Sequence, residues 1–305
     1  MKRITVIGDI IVDRHVECVP LGLSAETPTI VVKTVRERQS LGGAGLVARH
    51  LVRLGCAIEL VSVHDVAEMP SRVGWDPVVK TRFFSGHHKM FQVDALPDDS
   101  HDDRSRQLLF DMTLESIARG YGDAVVVCDN RHGCLDEKFV AMLRTVGARV
   151  FVDSQVSQKS SNHRWYFGFD TVFVNERELD AAIESMEIIV PETKSIVVKD
   201  DDLICDRVKA LSTRLGSSVV LKMGARGARA LVGGYEVHAP GIGVKTVDTC
   251  GAGDAFLAAY VSREVDAGRP ETIVEAMQFA NRWAALSTTY VGTDIPPLIR
   301  LENVE

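Results

Sequence analysis

The chain has 305 residues, of which 46% are hydrophobic and 25% charged, a make-up that excludes disordered and fibrous classes. Its formal net charge of −7, without any run of Lys and Arg, argues against a nucleic-acid partner. No apolar stretch reaches the roughly 18 residues that a bilayer span needs, so no membrane partner is expected.

The N-terminus, MKRITVIGDIIVD, has the basic start and apolar follow-on of a leader peptide, but Gly8 and Asp9 interrupt the run and no small-residue cleavage site follows. Residues 3–9 are therefore read as a first strand. Residues 15–19 and 29–36 read as strands with no helix between them, and 43–54 has helical spacing. A strand at 57–63 follows, then a second strand pair at 79–85 and 88–94, jointed at Gly86. PDDSHDD (97–103) reads as an acidic surface loop.

From there apolar runs at 123–129, 149–153, 171–175 and 218–224 alternate with helical segments at 135–146, 176–185 and 203–215. Residues 186–199 look like an extra strand pair, KDDD (199–202) like solvated loop, and 244–248 strand-like. Two helices, 252–267 and 271–290, close the chain, with Pro270 near the first turn of the second.

Such alternation predicts an α/β fold, a mostly parallel central sheet with helices on both faces. One domain over 1–305 is expected. The segments at about 14–38 and 78–96 would form a small β-sheet, inserted twice, that acts as a lid or pairing surface. Its exposed edges invite a second chain, so a homodimer through the lid is expected. The six cysteines are scattered with no C-x-x-C pair, as for reduced thiols in a cytoplasmic protein.

The most informative stretch is VDTCGAGDAF (247–256). Glycine costs about 1 kcal/mol relative to alanine inside a helix, so Gly-Ala-Gly at a helix start implies a close approach to backbone. The amides of Gly251, Ala252 and Gly253 would be unpaired donors where the macrodipole also favours an anion. Asp254 beside them could act as a base facing that anion. Taken alone, GAGD is equally a plain glycine-rich N-cap.

This segment resembles the D-T-x-G-A-G-D signature of the ribokinase-like (PfkB) carbohydrate kinases, through Asp248, Thr249, Gly251, Ala252, Gly253 and Asp254. Further motifs follow in the family's order. They are Gly8, Asp9 and Asp13 in G-D-x-x-x-D, the pair Gly42 and Gly43, Asn175 and Glu178 in NERE, and Lys222, Gly224 and Gly227 in K-x-G-x-x-G. GDIIVDRH (8–15), LSAETPTIVVKTVRERQSLGGAG (23–45) and KTRFFSGHHKMFQVD (80–94) look most like the D-glycero-β-D-manno-heptose 7-phosphate kinases within that family. The nucleotidyltransferase domain that some of that subgroup carry is not found in this sequence.

The resemblance implies a ribokinase-like fold and phosphoryl transfer from ATP to a sugar or sugar phosphate. Asp254 would take the hydroxyl proton, and residues 251–253 would hold the charge on the transferred group. Asn175 and Glu178 would organise Mg²⁺ through waters, and a monovalent cation is a further candidate. Asp13, with Gly42 and Gly43, would bind the sugar. Asp9 would shape its loop. Lys222, Gly224, Gly227, Asn175 and Asn281 would meet the nucleotide, Asn281 at the adenine. Lys222 reads equally as a surface lysine at a strand end. A phosphorylated substrate needs cations, for which Arg14 and Arg82 are the first candidates and Lys33, His87, His88 and Lys89 the others.

The pattern departs from the family in three places. Leu46 stands where asparagine is expected, CDNRHG (128–133) carries His132 in place of a lysine, and 64–79 is shorter. These changes leave a second reading open, a non-catalytic sugar- or nucleotide-binding relative. A Rossmann dehydrogenase is excluded, because no G-x-G-x-x-G opens a helix after the first strand, and no Walker A sequence is present.

Overall fold

The computed structural model describes residues 1–66, 72–86, 88–97, 102–157, 161–190, 200–263 and 268–298. In chain order, β1 (Arg3–Gly8) runs into the long β2 (Ile10–Leu23) and β3 (Ile30–Gly43), followed by α1 (Ala44–Arg53) and β4 (Ala57–Val61). Then come β5 (Val78–Ser85), β6 (His88–Ala95), α2 (Asp103–Ala118), β7 (Ala124–Asp129), α3 (Glu137–Leu143), β8 (Val150–Ser154), β9 (Thr171–Asn175) and α4 (Glu176–Ser185). The last elements are α5 (Asp200–Leu215), β10 (Ser218–Lys222), β11 (Gly227–Val232), β12 (Tyr235–Pro240), α6 (Ala252–Ser262) and α7 (Pro270–Ser287).

The main sheet has the order β12-β11-β10-β9-β8-β7-β1-β4. Pairing is parallel from β4 through to β10, while β11 and β12 add an antiparallel edge. Strands buried on both faces read as unbroken apolar runs, and β7, AVVVCD, is buried at every position. Alternate side chains feed two cores. Val126 and Cys128 pack with α1, α6 and α7 on one face, and Val125 and Val127 with α3, α4 and α5 on the other.

The second sheet, β3-β2-β5-β6, is formed by the expected inserted segments. Its strands are longer than 15–19 and 29–36 suggested, because β2 leaves the carboxyl end of β1 directly after Asp9 and returns as β3 up to Gly43. Here Gly43 has φ +57° and caps α1, and a Cβ on it would meet the Asp9 carbonyl oxygen and, at 2.9 Å, the side-chain oxygen of Asn130.

Several sequence expectations need correction. Residues 244–248 form no strand; their backbone is held instead by Thr288, whose carbonyl accepts from Val247 at 2.8 Å and Asp248 at 3.0 Å. The first closing helix stops at Ser262. Met186 caps α4 and no strand begins by residue 190; the rest of the expected pair, 191–199, lies outside the described residues. Two elements escaped sequence reading. Helix α2 buries Ser105, Arg106, Thr113 and Ser116 beside Leu109, so its inner face is largely polar. The β11–β12 hairpin turns through Gly233 and Gly234 between two short runs. Among the described residues no helix is long and apolar enough to cross a membrane.

Candidate active site

The parallel strands all end on one edge, and apart from β4, which ends at Val61, polar groups stand there: Gly8 leads to Asp9, and β7, β8, β9 and β10 end at Asp129, Ser154 (after Asp153), Asn175 and Lys222. Ligands of open α/β sheets bind outside this carboxyl edge. The GAGD turn meets it, since a Cβ on Gly253 would lie 3.4 Å from Nζ of Lys222 at the end of β10. Gly251 has φ +75°, a left-handed N-cap that glycine adopts without strain, and α6 starts from it. The amide of Ala252 is not free, since it donates to the Thr249 carbonyl at 3.2 Å. Among the described residues, the amides of Gly251 and Gly253 have no such acceptor, so two bare donors remain where three were expected.

The charges nearest Asp254 include Asp153, Lys222, Asp13 and Glu178, contributed by four different elements. Burial, reinforced by Asp153 and opposed by Lys222, pushes its carboxyl up to about 7. A base tuned to that range is poised to take a proton at neutral pH. Lys222 is no surface lysine. Its side chain is only 13% exposed and is ion-paired with Asp153, and although burial opposes its charge, Asp153 and Glu178 hold it above the usual lysine range. Asp153 was missed in the sequence; its signal was an aspartate closing the strand RVFVDS.

Asn175 and Glu178 form a reciprocal capping box on α4. The Asn175 amide donates to Glu178 Oε2 at 2.7 Å, and the Glu178 amide to Asn175 Oδ1 at 2.9 Å. Burial pushes the Glu178 carboxyl up, against the pull of Lys222. Among the described residues no cluster of three or more His, Cys, Asp or Glu could by itself hold a metal ion.

Between the small sheet and the GAGD turn lies a pocket of about 100 Å³. The small sheet contributes Asp13, Arg14, Arg38, Ser40 and Arg82, and the far wall is Asp248, Cys250, Gly292 and Thr293. Asp13 is ion-paired with Arg82, Arg14 with Glu37 at 3.2 Å and Arg38 with Asp294 at 3.4 Å. Arg38 escaped sequence reading because only the register of β2 and β3, which sets it opposite His15, brings it to this wall. Lys33, His88 and Lys89 are exposed and do not line the pocket, and His87 lies outside the described residues.

Other motif residues serve the framework. Asp248 Oδ1 accepts from the Cys250 amide and Oδ2 from the Gly292 amide, both at 2.9 Å, clamping the GAGD turn to the segment after α7. Asp9 is wholly buried, and its two oxygens accept from the amides of Cys134 at 2.9 Å and His132 at 3.2 Å. Burial and nearby Asp129 raise its carboxyl to about 7. His132 cannot replace a lysine's charge, because burial and Lys80 lower its ring to about 4. Leu46 is buried and its methyl group lies against Gly251, 2.5 Å from where a Cβ would be, and it is not among the pocket-lining residues. Asn281 donates to the carbonyls of Ala239 at 2.9 Å and Pro240 at 3.1 Å, tying α7 to β12. Gly227, at φ +88°, is required by the Ala239 carbonyl and would clash with it through any Cβ, whereas Gly224 stands in open space.

A carboxylate in the first turn of a helix that starts from a glycine-rich cap, near the carboxyl edge of such a sheet, accords with a carbohydrate kinase fold. Residues 102–299 match the family described as pfkB family carbohydrate kinase, which is more than half of the chain. The chain belongs to the pfkB family. It is 28% identical to the "Bifunctional protein HldE" of Rhodospirillum rubrum, over 97% of this chain and 60% of that protein. It is 27% identical to the protein of the same name from Caulobacter vibrioides, over 96% and 61%. The chain thus spans about 60% of the length of these curated relatives. Among solved structures, the fold is similar to ribokinase from Thermotoga maritima (TM-score 0.72, 18% identity, 99% of each chain). It is also similar to phosphofructokinase-2 from Escherichia coli in complex with potassium (TM-score 0.75, 16% identity, 100% of this chain and 98% of that one).

Proposed function

We propose that this chain transfers the γ-phosphoryl group of ATP to a hydroxyl of a phosphorylated sugar, with D-glycero-β-D-manno-heptose 7-phosphate or a close relative as the acceptor. The observation that carries this reading is Asp254, in the first turn of α6 directly after the bare amides of Gly251 and Gly253, whose carboxyl is pushed to about 7 among the charges of Asp153, Lys222, Asp13 and Glu178. Asp254 takes the hydroxyl proton as that oxygen forms its bond to the γ-phosphorus. The bond from phosphorus to the β–γ bridging oxygen breaks and ADP leaves. The amides of Gly251 and Gly253 meet the charge on the group in transit.

Asp13 accepts sugar hydroxyls, with Gly42 leaving room beside it and Gly43 turning the backbone at the sugar site into α1, and Arg14, Arg38 and Arg82 suit the acceptor's own phosphate. Lys222 and the turn from Gly224 to Gly227 border the nucleotide phosphates, while Asn281 braces the helix beside them. For Mg²⁺ the donor set would suit an ion that keeps most of its waters, because the carboxylates near Asp254 outnumber the ammonium of Lys222 and, among the described residues, form no closed cage. Asn175 and Glu178 would hold it, and it would neutralise the phosphates. The potassium of the E. coli phosphofructokinase-2 complex keeps a monovalent cation within the same proposal.

The small sheet is read as a lid and as the surface of a homodimer. It exposes Val19, Leu21, Leu23, Ile30, Val35, Phe91 and Val93, an apolar area that a second copy would cover. The non-catalytic alternative drew on Leu46 and CDNRHG. Leu46 packs against Gly251 and the backbone of CDNRHG clasps Asp9, which gives both segments a structural part beside a working site. An ADP-release assay over hexoses, heptoses and their phosphates tests the proposal. Turnover with a sugar phosphate is expected, and none with any acceptor would overturn it.

A further inference from the structure

Building on that kinase reading, we propose that Lys222 is the cation of the anion hole: its ammonium faces the phosphoryl group in transfer, and Asp153 is the residue that positions it. A Cβ on Gly253 would lie 3.4 Å from Lys222 Nζ and 4.0 Å from Lys222 Cε. The ammonium therefore stands over the second residue of α6, whose amide is one of the two free donors. Lys222 ends β10 and Asp153 lies near the end of β8, so their ion pair reaches across the end of β9. Both side chains are largely buried, 13% and 11% exposed.

A buried ion pair is a weak source of stability, since replacing both partners with apolar residues is often neutral or favourable. Its place at the mouth of the crevice points to chemistry instead. One ammonium faces Asp153, Glu178 and Asp254, and phosphate oxygens arriving beside Gly253 would enter a field dominated by carboxylates. A compact charge already anchored there meets the incoming phosphoryl group without reorganising. Lys222 exchanges no proton in this role. Asp254 takes the hydroxyl proton, and the only bonds made and broken are those to the γ-phosphorus.

The test uses Lys222→Met, Asp153→Asn and the double variant of the full chain, with two readouts. In steady-state kinetics on Mg·ATP and the accepted sugar phosphate, Lys222→Met should lower kcat by about 10²–10³-fold, the usual loss for one anion-hole donor, with KM for ATP changed only a few-fold. Asp153→Asn should lower kcat in the same direction, and the double variant should be no slower than Lys222→Met alone, because Asp153 acts through Lys222. Independently of turnover, Mg·ADP with aluminium fluoride, a mimic of the group in transit, should raise the wild-type melting temperature beyond Mg·ADP alone. That increment should vanish in Lys222→Met. If Lys222→Met leaves Asp153 buried and fails to fold, the double variant, which has no unpaired charge, supplies the same comparison. Equal responses of wild type and variant would overturn the role of Lys222 alone. A wild type that responds to neither nucleotide complex would overturn the kinase reading and this one together.

Discussion

Gly42 lies so close to Asp13 that a Cβ built on it would meet the carboxylate oxygen Oδ2 at 2.5 Å. The other oxygen of Asp13 is held by Arg82, so the carboxylate has little freedom to withdraw. The glycine pair of the sequence thus has two different jobs, since Gly43 turns the chain into α1 while Gly42 makes room for the proposed sugar ligand. In Gly42→Ala the carboxylate must shift by a good fraction of an ångström. KM for the sugar should rise about tenfold or more while KM for ATP stays put, as varying each substrate in turn would reveal. An unchanged acceptor KM would remove Asp13 from the sugar site.

Asp254→Asn should lower kcat by about 10²–10⁴-fold, the range for a lost general base. In the wild type, kcat/KM should climb about tenfold per pH unit and level off near pH 7, where the carboxyl loses its proton. Stability carries the opposite sign. A carboxyl raised from 3.8 to about 7 on folding favours the fold fully below pH 4, and that contribution is lost as pH rises through 7. The asparagine variant should therefore melt higher than wild type at pH 8 but not at pH 5. A pH-independent difference would mean that the carboxyl titrates at its ordinary value.

Both amide hydrogens of Asn281 are engaged with carbonyls of β12. Asn281→Ala leaves those acceptors unpaired and should cost about 1–3 kcal/mol in denaturant unfolding, with KM for ATP within twofold of wild type. A tenfold rise in KM would instead support the expected contact with adenine.

Leu46 supports the left-handed turn at Gly251 from beneath. Leu46→Ala should destabilise the fold by about 2–5 kcal/mol, and in the surviving protein kcat should fall more than either KM. Unaltered kcat would show that the GAGD turn holds its shape without this contact.

Exposed Leu21 and Ile30 lie near the tip of the small sheet, at 64% exposure each. Wild-type chain should run as a dimer in light scattering at micromolar concentration, and Leu21→Asp with Ile30→Asp as a monomer. A wild-type monomer would end the proposed pairing through the lid.

Much of the α/β frame was legible from the sequence because buried parallel strands such as AVVVCD can only be continuous apolar runs. The inserted strand pairs announced themselves by lacking a helix between them. Helix α2 did not, since its inner face is made of Ser105, Arg106, Thr113 and Ser116, whose polarity hides the helical period. The run before Asp248 looked extended, yet it pairs with no strand and is fixed by Thr288.

Local chemistry decided what a short stretch of chain can decide: a glycine-rich turn ahead of Asp254 creates bare amides at a helix start, and Asn175 with Glu178 makes a cap. Such features depend on neighbours three or four residues away, so the sequence alone carries them. Which charges meet across the crevice was settled only in three dimensions. Asp153, Lys222 and Asp254 come from separate strands and a helix, and the energy of their meeting depends on burial and distance, which no linear spacing records.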